Sequence, residues 1–406
     1  MTVPREMFER RVVRRCGVAG VWICVFATLL ACSRKSAEPA PRSAEPAIAA
    51  QAQDATWRFA VSGDSRNCGD LVMPTIAADA AKHSPAFYWH LGDYRAIFMI
   101  DEDMEHPAKD RARRLSYLQY RKTAWDDFIK NQITPFSPIP VFLGIGNHEM
   151  LVHKDRQDFV AKFGNWLDAS AIQEQRLKDD PTDHSVKSYY HWTRGGVDFI
   201  NMDNASKDQF NDTQLGWFKS VLDRDNSNPD IKTIVVGMHA ALPESISRGH
   251  SMNESKDGEK SGIQVYKELW SAQNDAHKHV YVLASHSHFF MDGVYNTAYW
   301  RQNAGVLPGW IVGTAGAARI PLPDKSSDAL KAMVNVYGYL VATVNPDGQK
   351  DDTIRFEFQQ LEKQSVPPAV RASFTPTFVD WCFDQNFQPK NELDILKSME
   401  KRVLHR

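Results

Sequence analysis

Carboxylate, amide and imidazole side chains stand in five short segments of this chain: Gly63-Asp64-Ser65-Arg66, Gly92-Asp93, Gly146-Asn147-His148-Glu149, Met238-His239 and His286-Ser287-His288. Aspartate, asparagine and histidine offer hard or borderline oxygen and nitrogen donors. With no thiolate among them, the set suits Mn, Fe, Zn or Co. Two such ions ~3.5–4 Å apart would stabilise developing negative charge and lower the pKa of an attacking water, which is the chemistry of metal-assisted hydrolysis. Taken singly, each residue reads as a capped strand end or a satisfied core histidine; taken as an ordered set, they read as a metal site.

Each segment directly follows a short apolar run rich in β-branched and aromatic residues, at 58–62, 86–91, 140–145, 231–238 and 279–284. Runs of that kind read as strands buried on both faces. Segments with helical spacing alternate with them at 73–83, 115–131, 155–167, 213–224 and 264–276, giving a layered α/β architecture. Further strands are expected at 189–192, 197–202, 310–314, 339–344 and 353–360, with hairpin turns at Arg194-Gly195-Gly196 and Pro346-Asp347-Gly348. In open α/β sheets ligands bind beyond the carboxyl ends of the strands, so five strand ends can converge on one crevice. If 286–288 continues a strand, His286 and His288 share a face and can address different ions. The stretches 94–110 and 243–262 read as solvated loops, with loops flanking the site as the alternative.

At these residues the chain resembles the calcineurin-like metallophosphoesterases, a family that includes purple acid phosphatases, nucleotide phosphodiesterases and protein phosphatases. The resemblance spans roughly 58–316 and includes the glycine-rich block Gly313-Thr314-Ala315-Gly316. It implies a four-layer α/β/β/α sandwich with loop insertions and a centre of two divalent or mixed-valence ions. It makes Asp93 the bridging carboxylate, places Asn147, His239 and His286 on one ion, and places Asp64 and His288 on the other. His148 takes the place of the catalytic histidine that assists the leaving oxygen, with Glu149 orienting it. The implied reaction is an in-line attack of water on a phosphate monoester without a covalent intermediate. A phosphodiesterase using the same donors is the alternative within catalysis, and a non-catalytic metal- or partner-binding lipoprotein is the alternative outside it.

The chain departs from the family where many relatives carry a second histidine, two residues after the first aspartate. Here that residue is Arg66, whose guanidinium has no lone pair to coordinate an ion. Arg66 reads either as a grip on substrate phosphate or as a salt bridge to a loop carboxylate, and Arg95 as a poorer version of that grip. Tyr94, beside Asp93, is a weak stand-in for the ligand tyrosine of purple acid phosphatases, because neighbouring side chains diverge. His90, His191 and His250 are assigned structural or surface roles.

The N-terminus carries Arg5, Arg10, Arg11, Arg14 and Arg15 before an uncharged apolar run over 18–31 that ends at Cys32. The run is shorter than the ~20 residues of a membrane-spanning helix and fits a secretory signal. The run Leu29-Leu30-Ala31-Cys32 resembles a bacterial lipobox, which implies cleavage before Cys32, a lipid anchor there and a place in the cell envelope, periplasmic or extracytoplasmic; an ordinary cleaved signal is the alternative. This reading divides the chain into a signal at 1–31, a lipidated cysteine and Ala/Pro/Ser/Glu tether at 32–56, a catalytic domain at 57–365 and a C-terminal extension at 366–406. Loss of 1–31 takes five arginines and two glutamates and moves the formal charge from −2 to −5, which leaves no nucleic-acid surface. Cys68 and Cys382 remain, as a disulfide or as two buried thiols.

Overall fold

The computed structural model describes residues 56–106, 115–151, 154–348 and 350–387. The expected signal, Cys32, nearly all of the tether and the last part of the extension lie outside the described residues. Among the described residues, no helix is long and apolar enough to cross a membrane.

Two sheets face each other. One has the order β12 (Ile354–Leu361), β11 (Tyr337–Val344), β1 (Trp57–Ser62), β2 (Tyr88–His90), β3 (Val141–Leu143). The other runs β10 (Lys331–Met333), β8 (Phe290–Asp292), β9 (Gly309–Val312), β7 (His279–Ala284), β6 (Thr233–Gly237), β5 (Val197–Asn201), β4 (Tyr190–Arg194). Strands β1, β2 and β3 are mutually parallel, as are β5, β6, β7 and β9. The parallel strands therefore deliver their carboxyl ends to one edge of the molecule, while β11, β12, β4, β8 and β10 add antiparallel flanks.

The apolar runs are continuous because both faces of these strands are covered. In β6, Val235 points into the space between the sheets, whereas Ile234 and Val236 join a second core. That core lies with the helices Asp212–Ser227 and Lys256–Asn274. Aromatic rings fill the inter-sheet layer: Phe142 stacks on Trp192 at 4.0 Å, and Phe87 meets Phe199 edge-on at 5.1 Å. The Trp89 indole, buried among them, keeps a hydrogen bond to Asn201 Oδ1 at 3.1 Å, as a buried N–H requires. Helices Gly69–Ala80 and Arg156–Leu167 cover the outer face of the first sheet. The four-layer α/β/β/α arrangement is thus present.

Several sequence expectations change. The stretch 243–262 is not simply loop: after two 3₁₀ turns, the Ser255 side chain accepts from Gly258 N and starts the long Lys256–Asn274 helix eight residues before its apolar periodicity begins. The helix Ser170–Asp179 and the three-residue strands β8 and β10 have too short or too polar a pattern to register. Most of the described part of 94–110 is buried or half-buried and not solvated surface. Arg95 is fully buried and its guanidinium bonds Asp70, Asp127 and Asp103, the last at 2.8 Å, with Asp101 at 3.9 Å. That excludes Arg95 as a phosphate grip: four carboxylates already claim it, and removing it would strand them in a dry core.

The extension packs as part of the fold through 387. Phe374, Phe378 and Cys382 join the first core, and Cys382 forms a disulfide with Cys68, settling the choice left open by the sequence. Asn386 completes the latch, donating to Gly316 O at 3.1 Å and accepting from Asn67 Nδ2 at 2.9 Å.

Candidate metal and catalytic site

The five segments do converge, and what brings them together is the backbone at the strand ends. Asp64, Asp93 and His286 all adopt left-handed conformations, with φ of 60°, 60° and 64°. Non-glycine residues avoid this region unless the surroundings impose it, and such residues concentrate at functional sites. Each turn reverses the chain just past its strand and swings the side chain toward the sheet edge. His286 is therefore not on a strand: β7 ends at Ala284, and the shared-face argument for His286 and His288 fails. What holds the turns is specific. His286 N donates to Asp64 Oδ2 at 2.7 Å, tying β7 to β1 across the two sheets. Gly146 can only be glycine, since a Cβ there would lie 2.3 Å from Asp93 Oδ1.

Around His239 the donors face one another. Its Nδ1 lies 3.0 Å from Leu91 O, so Nδ1 carries the proton and Nε2 presents a lone pair. That lone pair meets Asn147 Oδ1 at 2.9 Å, His286 Nδ1 at 3.0 Å and Asp93 Oδ1 at 3.3 Å. With His286 Nδ1 unprotonated, four acceptor atoms point at one place, and they repel unless a second proton on His239 or a cation lies between them. Burial works against a charged His239, yet Asp93 outweighs it and raises the imidazole to about 10; the cluster demands positive charge. Asp93, His239 and His286 lie close enough for their donor atoms to share one ion. These residues therefore fit the metal that the chemistry requires.

On the other side of Asp93, Oδ2 is buried without a hydrogen bond, as is Asp64 Oδ1. His288 Nε2 lies 3.3 Å from Asp64 Oδ1. Arg66 enters here, with one terminal nitrogen 3.0 Å from His288 Nε2 and Nε 4.0 Å from Asp93 Oδ2. Burial raises the Asp93 carboxyl, but His148, His239 and Arg66 together hold it well below the usual range.

His148 sits at the rim. Its Nδ1 lies 2.7 Å from Ala96 O and its Nε2 3.7 Å from Asp93 Oδ2. With Nδ1–H given to a carbonyl, Nε2 is the atom aimed at the site, and it donates only when the ring is protonated. Burial and Arg66 push this imidazole down to about 4; a substrate anion alongside would act in the opposite direction. Glu149 does not orient His148. Its carboxylate accepts from Asp93 N, Tyr94 N and Gly146 N at 2.8–2.9 Å, clamping the two loops that carry Asp93 and Asn147. Burial and Asp93 push that carboxyl up to about 8.

Tyr94 is no ligand: it stacks on Phe128 at 4.1 Å and bonds Gly144 O. His90 meets Ser65 Oγ and His191 lies between Asp179 and Asp198, both structural as expected. His250, given a structural or surface role from the sequence, has its ring 5.5 Å from His286. With Glu254 and His286 it forms a second group of potential donors. Phe98, 5.3 Å from the His148 ring, was also missed. Ile97 before it has φ 60°, strained for a β-branched residue, and is held by Tyr120 OH on its N–H and Tyr117 OH on its carbonyl, both at 2.9 Å. Nothing in an Ala-Ile-Phe run announces such a turn.

The model of the calcineurin-like phosphoesterase family matches residues 60–290. Among solved structures, a purple acid phosphatase from yellow lupin (Lupinus luteus) seeds is similar at 16% identity and a TM-score of 0.50, covering 76% of this chain and 52% of its own. This chain thus spans about half the length of the lupin protein, and the likeness shows the fold. PhoD is similar at 13% identity, a TM-score of 0.48, and coverage of 86% and 78%. A dimetal phosphatase from Danio rerio is similar at 10% identity, a TM-score of 0.42, and coverage of 75% and 98%. No curated protein sequence matches the chain.

Proposed function

Because the chain belongs to the calcineurin-like phosphoesterase family, and so is a phosphoric ester hydrolase, we propose that it acts on phosphate monoesters. Asp93, Asn147, His239 and His286 would hold a divalent ion, Mn, Fe, Zn or Co, with Asp64 and His288 beside it. The observation that carries this reading is the set of acceptor atoms around His239 Nε2, all within 3.3 Å of it. A bound ion there supplies charge to offset the phosphate and lowers the pKa of the attacking water.

The chain's own residues do the rest. Asp93 and Asn147 are fixed by Glu149, so the donors keep their positions during the reaction, as preorganised electrostatic catalysis requires. With the substrate anion alongside to raise the imidazole, His148 takes a proton at Nε2 and passes it to the departing oxygen. Arg66 lies 13% exposed at the edge of the donors, where its guanidinium can pair with phosphate oxygens. A monoester brings a dianion and a diester a single negative charge, so this extra cation favours the monoester. A panel of aryl and alkyl monoesters, diesters and nucleotides, assayed with Mn²⁺, tests the preference. We expect kcat/KM at least about 10-fold higher for monoesters, a difference of about 1.4 kcal/mol; the reverse order would make the protein a phosphodiesterase.

We also propose export to the cell envelope with a lipid at Cys32. The basic start, the apolar run and the cysteine support this, as does the Cys68–Cys382 disulfide, since such bonds persist in oxidising compartments. Mass spectrometry of the mature N-terminus should find acylated Cys32; an unmodified Cys32 in a protein that stays soluble would refute the anchor.

A further inference from the structure

We infer that the Arg66 guanidinium takes the place of the second ion, so that this centre works with one tightly held ion and one arginine. The inference rests on the metal-dependent reading above and concerns the Asp64–His288 side alone.

Three observations converge on it. His288 Nδ1 gives its proton to Ala318 O at 2.6 Å, which leaves Nε2 as the ring's single lone pair, and that lone pair lies 3.0 Å from an Arg66 terminal nitrogen. Guanidinium nitrogens donate and never accept, so this contact is an N–H directed at the very lone pair an ion would need. Second, Arg66 Nε, Asp93 Oδ2 and Asp64 Oδ1 are all buried and all lack hydrogen bonds. The guanidinium lies 4.0 Å from Asp93 Oδ2, and the His288 nitrogen it meets lies 3.3 Å from Asp64 Oδ1, so it stands among the groups whose charge a second ion would offset. Third, among the described residues, carboxylate, imidazole and thiol donors gather in threes around His286, with Asp93 and His239 or with His250 and Glu254; Asp64 and His288 belong to neither group.

Arg66 is held where it is from its base. Asn67 N donates to Asp101 Oδ1 at 2.6 Å, Asn67 Nδ2 donates to Asn386 Oδ1, and the next residue is the disulfide-bonded Cys68. The same Asp101 accepts from Ala96 N at 3.1 Å, next to the carbonyl that holds His148. The guanidinium is therefore set in a fixed relation to Asp93, to His288 and to the catalytic histidine. A planar fork of N–H groups in that position can neutralise a phosphate oxygen and direct it, as an ion would, without requiring a lone pair from the protein.

Metal counting tests this without reference to turnover. Full-length mature protein, stripped with chelator and titrated with Mn²⁺, should take up one ion per chain with the magnetic resonance spectrum of an isolated Mn²⁺. A second should bind at least about 100-fold more weakly, as befits a site lacking a donor and facing a like charge. Arg66→Ala and Arg66→His, each checked for folding by circular dichroism, should bind two ions and show a spin-coupled pair. Two ions of similar affinity in the wild type would overturn the inference. One ion in the wild type and in both variants would overturn it too, because Arg66 would then not be what excludes the second. A wild type that takes up no Mn²⁺ would instead defeat the metal-dependent reading on which the inference stands.

Discussion

The Asp93→Asn protein should fold normally, lose the ion and lose hydrolysis by at least about 10³-fold, the upper range for removing one transition-state electrostatic group. Asp93 serves both sides of the centre. Its Oδ1 faces His239 Nε2 at 3.3 Å while accepting from His148 N at 3.0 Å, and its Oδ2 faces Arg66 and His148. The amide is the same size, so packing is preserved, but it removes the charge that the surrounding imidazoles and guanidinium answer. It also places an N–H₂ group against either a backbone N–H or an arginine. Folding should not suffer, because a fully buried carboxylate with one oxygen unbonded is itself a cost to the native state. Elemental analysis, a thermal melt and a monoester assay on one preparation separate these effects. Retained metal with near-normal turnover would remove Asp93 from the centre.

His148→Ala should behave differently, keeping the ion while slowing the reaction ~10²–10⁴-fold. The reason is positional: His148 Nε2 approaches Asp93 Oδ2 no closer than 3.7 Å, and its other nitrogen is spent on Ala96 O. It does not contribute to the acceptor cluster around His239. Its loss should weigh on the departing oxygen, so alkyl phosphates, whose alkoxides leave poorly, should slow more than aryl phosphates. An equal loss for both classes would mean that His148 positions substrate and does not transfer a proton.

The strands that carry the site were readable because both their faces are buried, so five short apolar runs with Gly-Asp, Gly-Asn-His-Glu or histidine at their ends stood out. The donors for one ion follow from those ends. What the sequence could not convey is conformation beyond them. Asp64, Asp93 and His286 reach the site through left-handed turns, so the strand-based reading of His286 and His288 fails past the end of β7 at Ala284. Polar residues misled wherever burial was paid by pairing: Asp101 and Asp103 read as solvated loop, yet they lie in the core because Arg95 meets them there. Glu149 was assigned to its sequence neighbour His148, although its three backbone donors come from two strands' loops. Such a role is visible only when Gly92-Asp93 and Gly146-Asn147 are seen side by side. The approach of His250 to His286, carried by a polar insertion, is hidden in the same way.

The central claim is that hydrolysis depends on an ion held by Asp93, Asn147, His239 and His286. The most direct measurement titrates Mn²⁺ back into chelator-stripped wild-type protein, reading bound metal and the rate of phosphate release from a monoester in the same samples. The account predicts negligible release from the stripped protein and a rate that rises in proportion to the first bound ion, reaching its plateau as that ion saturates. Full activity in protein shown to contain no metal would contradict it.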